Sequence, residues 1–290
     1  MPDLQLRLPS PLVQLDDERF TRRGVRLYLK RDDLIHPELR GNKWRKLRLN
    51  LTAAQEQGFS RLLTFGGAFS NHISATAAAG RYFGFETIGV IRGEEHLPLN
   101  DTLAAALDHG MELTYLDRGT YRRAMDYDIL DGLRRRFGRC YVLPEGGSNA
   151  LAVRGCREIP REIDVAFDLI CCACGTGGTL AGIAGGLHAG QRAIGFSVLK
   201  GGEFLVDDVT RLQNEAFGTT TGNWSIETGF HFGGFAKRRP ELDSFIGEFA
   251  VRHGFTLDRI YVAKMLYGLL TLTERGTFPP GTTVIAVVTG

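Results

Sequence analysis

The chain has 290 residues, 43% of them hydrophobic and 23% charged, which fits a globular protein of one large domain or two moderate ones. Its net charge of +2 argues against nucleic acid or an anionic membrane as the main partner, and no apolar run approaches the ~20 residues that span a bilayer. The five cysteines form no paired framework, and the opening "MPDLQLRLPSPLVQLDDERF" lacks the regions of a secretory signal, so a reducing cytoplasm is expected.

The first informative stretch is "LRGNKWRKLRLNL" (39–51), where Lys43 follows Gly41 and Asn42 at an expected helix start and precedes Arg45, Lys46 and Arg48. A helix N-terminus disfavours a cation. Lys43 is therefore either one more solvated charge or a lysine held neutral or covalently linked. Next, "RLLTFGG" (61–67), "ETIGVIRG" (86–93), "ELTYLD" (112–117) and "RCYVLPEGG" (139–147) read as strands that end in turn residues. Helical patterns at 70–83, 100–109 and 121–137 separate them. This alternation predicts a parallel sheet covered on both faces by helices. A second series starts at "DLICCACGTGG" (168–178), with a helix at 179–189, a strand at 193–199 and late strands at 258–262 and 283–289. The stretch 201–241, rich in Gly, Thr and Phe, is ambiguous and is expected to supply pocket walls. The fold class is thus α/β, with two open twisted parallel-sheet domains of unequal size. Residues 1–48 with 150–290 form the larger, and 49–149 the smaller.

Two glycine turns carry the chemistry. In "CGTGGTLAGIAGGL" (174–187), a strand runs into Gly175, Thr176, Gly177, Gly178 and Thr179 before a helix of small residues. Glycine permits close backbone approach, and the free N–H groups of the helix start suit a phosphate. No Gly-Lys-Ser/Thr closes the turn, and Leu180 stands where a dinucleotide fingerprint has its third glycine. A compact phosphate monoester is the better ligand; a tight strand-to-helix turn without a ligand is the alternative. Cys171, Cys172 and Cys174 precede it on a strand that alternates its side chains, so core packing is expected and no metal site. "TFGGAFSNHISATAAAG" (64–80) repeats the design, with Ser70, Asn71 and His72 near the helix start. These residues either cap the helix or bind a carboxylate and a cofactor oxygen.

"LYLKRDDLIHPELRGNKWRKL" (27–47) resembles the lysine segment of the 1-aminocyclopropane-1-carboxylate deaminase / D-cysteine desulfhydrase family, pyridoxal 5'-phosphate (PLP) enzymes of the tryptophan-synthase-β fold, PLP fold type II. "GGAFSNHISATAAAG", "PEGGSNALAVRG" (144–155) and "CGTGGTLAGI" (174–183) match in the same order. The resemblance covers nearly the whole chain, most weakly at 201–257. It implies that Lys43 is the Schiff-base lysine, that Ser70 is nucleophile or proton relay, and that Asn71 bonds the cofactor ring oxygen. It further implies that Gly175 to Thr179 cup the phosphate, that Tyr261 faces cofactor and substrate, and that Thr289 lies near the pyridine nitrogen. The substrate carboxylate is expected near Ser70, Asn71 and His72. Thr289 and "EGGSN" (145–149) resemble the desulfhydrase branch, while Val262 matches neither branch. The family's pattern also continues past the place of Gly290, where the nitrogen-side wall of the pocket is expected to be less firmly held. The resemblance implies a homodimer acting on a small amino acid, D-cysteine first, by β-elimination. Ring-opening deamination of 1-aminocyclopropane-1-carboxylate is the runner-up, followed by other β-substituted amino acids. A non-catalytic PLP carrier or sensor, and last a nucleotide-binding α/β protein, are the alternatives of other classes.

Overall fold

Residues 4–39 and 41–289 are described by a computed structural model of the chain. The chain opens with β1 (Leu12–Leu15), α1 (Glu18–Thr21), β2 (Arg26–Arg31) and α2 (Asn42–Glu56). Alternation then sets in: β3 (Arg61–Gly66), α3 (Asn71–Phe83), β4 (Glu86–Arg92), α4 (Asp101–Asp108) and β5 (Met111–Leu116). The segment expected as one helix at 121–137 is two, α5 (Arg118–Tyr121) and α6 (Tyr127–Phe137), and β6 (Tyr141–Leu143) follows. The second series comprises α7 (Ala150–Cys156), β7 (Leu169–Cys174), α8 (Gly178–Gly186) and β8 (Arg192–Ser197). It continues through α9 (Leu205–Phe217), β9 (Trp224–Glu227), α10 (Pro240–His253), α11 (Val262–Glu274) and β10 (Thr283–Val288).

Among the described residues the strands form two sheets. One has the order β1-β2-β10-β7-β8-β9, the other β5-β4-β3-β6. Every pairing is parallel except β1 with β2. The central strand β7, Leu-Ile-Cys-Cys-Ala-Cys, is buried at all six positions, as a parallel strand covered on both faces must be. Its alternation sorts the cysteines: Cys171 packs into the core beneath α11, while Cys172 and Cys174 face the core beneath α8. The three sulfurs therefore do not converge; burial pushes the Cys171 thiol up, and the neighbouring Cys174 thiol, then burial, pushes up that of Cys172.

One strand reading of the sequence needs correction, and one ambiguous stretch is resolved. Residues 258–262 are not a strand. Asp258 accepts hydrogen bonds from the backbone N–H groups of Ile260 (3.0 Å), Tyr261 (2.8 Å) and Val262 (2.7 Å). That satisfies the donors a helix start leaves free and begins α11 there. The ambiguous stretch 201–241 holds α9, whose buried Leu205, Val209, Leu212, Gln213 and Ala216 recur at helical spacing, and then β9.

The lysine-bearing helix α2 is fixed from behind by a buried ion network. Arg45 donates to both oxygens of Asp32 (2.7 and 2.8 Å) and both of Glu162 (2.8 Å each). Lys30 donates to Glu162 (2.8 Å) and to the Ser10 carbonyl (2.6 Å), and the Ser10 hydroxyl to Asp32 (2.6 Å). Two cations meet two carboxylates, so no buried charge is left over. No helix among the described residues is long and apolar enough to cross a membrane.

Candidate active site

Four helices begin at one cavity. Lys43 is the second residue of α2, Asn71 the first of α3 and Gly178 the first of α8, while Tyr261 immediately precedes α11. Side chains or backbone from all four starts line a space of about 50 Å3. That is several times the ~10–15 Å3 a single water needs, and of phosphate size. The described lining includes Lys43, Lys46 and His72 and contains no carboxylate. Helix starts and lysines together make it an anion site.

Each residue expected from the sequence reaches this cavity: Lys43, Ser70, Asn71, His72, Gly175 to Thr179, Tyr261 and Thr289. Ser70 sits at the N-cap position of α3 but makes no capping bond with its side chain, so its hydroxyl is not used up by the helix. Gly177 has a left-handed φ of +73°, which opens the turn before α8. A Cβ on Gly178 would stand 2.6 Å from the Ser148 hydroxyl and 3.3 Å from the Lys46 ammonium. Glycine therefore lets both polar groups approach the turn. Gly41, with φ +60°, is pressed on the carbonyl of Thr289, where a Cβ would lie 1.3 Å from the oxygen. That contact ties the start of α2 to the end of β10.

Burial dominates the electrostatics. Desolvation, and then the like charge of Lys46, lower the Lys43 amine to about 7. Lys46 is itself lowered by burial. It donates to the Gly146 carbonyl and the Ser148 hydroxyl, both at 2.9 Å. His72 is 1% exposed, and burial, with Lys43 and Lys46 nearby, keeps its imidazole well below its usual range. It is thus neutral at pH 7, and neither ring nitrogen has a hydrogen-bond partner among the described residues. Tyr261 is pushed up by burial, next by Asp258, and remains a phenol. Val262, the departure from both branches, is 0% exposed in the hydrophobic core and does not line the cavity.

Sequence reasoning passed over Asn42, Lys46, Gly146 and Ser148. Asn42 donates to the Thr179 hydroxyl at 2.6 Å, and Ser148 bonds Thr176 at 2.6 Å, so both brace the glycine turn. Lys46 stands three residues after Lys43, one helical turn along the same face, and that spacing was the available signal.

The cavity suits a phosphorylated aldehyde. The glycine turn and Lys46 offer donors to the phosphate, the Lys43 amine is neutral enough to bond the aldehyde, and the Asn42 side-chain oxygen is buried without a partner among the described residues. The comparisons with known proteins agree. The family model described as pyridoxal-phosphate dependent enzyme matches residues 4–290. A provisional 1-aminocyclopropane-1-carboxylate deaminase of Pyrococcus horikoshii is 32% identical over 92% of this chain and 85% of its own. A bifunctional D-cysteine desulfhydrase/1-aminocyclopropane-1-carboxylate deaminase, mitochondrial, of Arabidopsis thaliana is 31% identical over 85% of this chain and 67% of its own. The crystal structure of an ACC deaminase homologue superposes with a TM-score of 0.87 at 30% identity, over 100% of this chain and 92% of its own. With pyridoxal 5'-phosphate as the cofactor the cavity is built for, the chain belongs to the pyridoxal-phosphate dependent enzymes, in the family of the 1-aminocyclopropane-1-carboxylate deaminases and D-cysteine desulfhydrases.

Proposed function

We propose that the protein is a lyase that removes the β-substituent of a small amino acid, converting D-cysteine and water to pyruvate, sulfide and ammonia. The observation that carries this reading is a lysine amine lowered to about 7 in the same cavity as an anion-binding glycine turn. When bound, PLP supplies the electron sink that weakens the Cα–H bond. The residues around it do the rest. Lys43 bonds the cofactor and, once freed by the incoming substrate, takes the Cα proton on Nζ. The Thr176 and Thr179 hydroxyls, the N–H groups of the Gly175–Thr179 turn and Lys46 hold the phosphate. Asn71 orients the ring. The start of α3, the Ser70 hydroxyl and neutral His72 receive the substrate carboxylate. Ser70 can also relay a proton, and the Tyr261 phenol, protonated at working pH, donates to the departing sulfur. Thr289, which the resemblance sets near the ring nitrogen, would offer it a neutral hydroxyl.

The same residues suit ring-opening deamination of 1-aminocyclopropane-1-carboxylate, and the bifunctional plant relative favours keeping that as a second reading. The neutral Thr289 and the Glu145–Asn149 stretch, which resemble the desulfhydrase branch, support D-cysteine. Assays on both substrates separate them: pyruvate with sulfide, or 2-oxobutyrate. Lys43→Ala should abolish turnover and covalent retention of PLP through dialysis; intact turnover in that variant refutes the assignment. We further propose that the two sheets are the cores of two domains, 1–48 with 150–290 and 49–149, that the enzyme works as a homodimer, as its family resemblance implies, and that it does so in a reducing cytoplasm, which its unpaired cysteines suit.

A further inference from the structure

A much larger cavity, about 800 Å3, adjoins the cofactor site. The two share a wall: Gly67, Ala68 and Phe69 line the large space and run directly into Ser70–His72, while Glu145 lines it and Gly146 the small one. Phe235, which also lines the large space, packs edge-on against Tyr261 of the small one with ring centroids 6.0 Å apart. The size is out of proportion to D-cysteine. A sulfhydryl is little larger than a water, which takes about 30 Å3 in the liquid, whereas a cavity of several hundred Å3 is the scale of a whole ligand.

Its charges point to the kind of ligand. Arg92, Arg118 and Arg122 line the cavity, against Glu94 and Glu145. Arg92 lies nearest the chemistry. Its guanidinium is 3.4 Å from where a Cβ of Gly67 would stand, in the turn that presents Ser70. It stands 5.7 Å from the Tyr121 ring centre and 3.9 Å from Glu145, too far for a hydrogen bond. Its N–H donors find no acceptor among the described residues. Beside it the Tyr121 hydroxyl, on a residue 6% exposed, meets no acceptor within hydrogen-bond distance among the described residues, and the Glu145 carboxylate nearby is the group an incoming oxyanion would compete with for it. A guanidinium and a buried phenol, both with donors to spare, suit an oxyanion.

We infer that this cavity is a side-chain subsite, and that the enzyme takes β-substituted alanines whose departing thiolate carries a distal oxyanion, a carboxylate or a sulfonate, bound by Arg92 and Tyr121 with Arg118 and Arg122 at the mouth. The inference rests on the β-elimination reading above. The Cα proton passes to Lys43, the Cβ–S bond breaks with its electron pair on sulfur, and one water is consumed as the three-carbon remainder becomes pyruvate and ammonium.

The test uses the PLP-loaded enzyme and four probes: D-cysteine, S-(2-carboxyethyl)-D-cysteine, S-(2-sulfoethyl)-D-cysteine and the uncharged S-(3-methylbutyl)-D-cysteine, of the same length. Pyruvate release gives kcat/KM, and calorimetry gives binding. The charged probes should exceed the uncharged one by roughly tenfold, the scale of one charge-assisted hydrogen bond. That ratio should fall toward one in Arg92→Gln and part-way in Arg118→Gln, whose exposed site makes it a control for folding. The carboxylate and sulfonate arms identify which oxyanion is preferred. A ratio near one in the wild type, or a ratio untouched by both substitutions, overturns the inference. Selective, Arg92-dependent binding without pyruvate from any probe, D-cysteine included, would instead refute the elimination reading and leave the subsite standing.

Discussion

Helix α2 contributes to two buried basic clusters, one behind it and one in front, and they differ in one respect. On the back, Arg45 and Lys30 face Asp32 and Glu162, and every charge is matched. On the front, Lys43 and Lys46 face glycine turns, hydroxyls and a neutral imidazole, and among the described residues no carboxylate lines the cavity. The first arrangement is complete within the chain and holds the helix still. The second is short of an anion, and the fold bears the cost of keeping it so. The family's lysine motif therefore encodes both a scaffold and a site. Lys30, Asp32 and Arg45 belong to the scaffold; Asn42, Lys43 and Lys46 belong to the site.

The contrast is sharpest in opposite responses to pH. The Glu162 carboxylate is lowered to about 2, because its bonds to Arg45 and Lys30 outweigh the burial that would raise it. Its contribution is present above pH 4.5 and disappears as pH falls toward 2. Glu162→Gln should cost about 3 kcal/mol at pH 7. Urea unfolding should show that gap closing below pH 4. The Lys43 amine is lowered instead, so between about 7 and 10.5 the unfolded chain binds a proton that the folded chain does not. Stability therefore rises with pH across that window, and the penalty is largest below 7. In the PLP-free protein, Lys43→Met should stabilise by about 2 kcal/mol near pH 6, allowing for partial exposure, and by almost nothing once pH passes about 11. A Lys43→Met protein less stable than wild type would break the comparison.

Lys46 sharpens it further. Lys46→Met should weaken PLP binding roughly tenfold in equilibrium dialysis, since one charged donor to the phosphate is lost. It should also raise the midpoint of the rising limb of the kcat–pH profile above about 7, because the like charge that helps depress Lys43 is gone. If Lys46 were scaffold, the substitution would lower stability and leave that midpoint alone.

The legible parts of the molecule were the local ones. A buried apolar run ending in glycine and continuing as small residues names a strand, a turn and a helix start at once, which is why 64–80 and 174–187 could be read. Residues 258–262 misled because Ile260, Tyr261 and Val262 favour a strand by side chain. The carboxylate of Asp258, two to four residues upstream, decides otherwise by taking their N–H groups. The large cavity has no motif of its own, only the edges of the GGAFSN and EGGSN stretches. Its walls come from five separated stretches, around 67, 92, 118, 145 and 235, and only the fold assembles them. Glu162 was invisible for the same reason, 117 residues from the Arg45 it pairs with.

Asp258 offers the finest test of how the front cluster is held. Its carboxylate is raised by burial, with three backbone N–H bonds pulling the other way. Those bonds fix the start of α11 and with it Tyr261, which lines the cofactor cavity and packs edge-on against Phe235 of the large one. Asp258→Ala removes the acceptors and should cost about 1 kcal/mol, as loss of a helix cap does. Were Asp258 merely structural, that small loss would leave the kinetics alone. If it positions Tyr261, kcat for D-cysteine should fall severalfold with KM little changed, because the phenol acts on the departing sulfur and not on the carboxylate that binds the substrate. Asp258→Asn keeps an acceptor oxygen and should recover part of the kcat. An Asn variant no better than Ala would mean that the full charge, rather than the bond geometry, holds Tyr261 against the cavity.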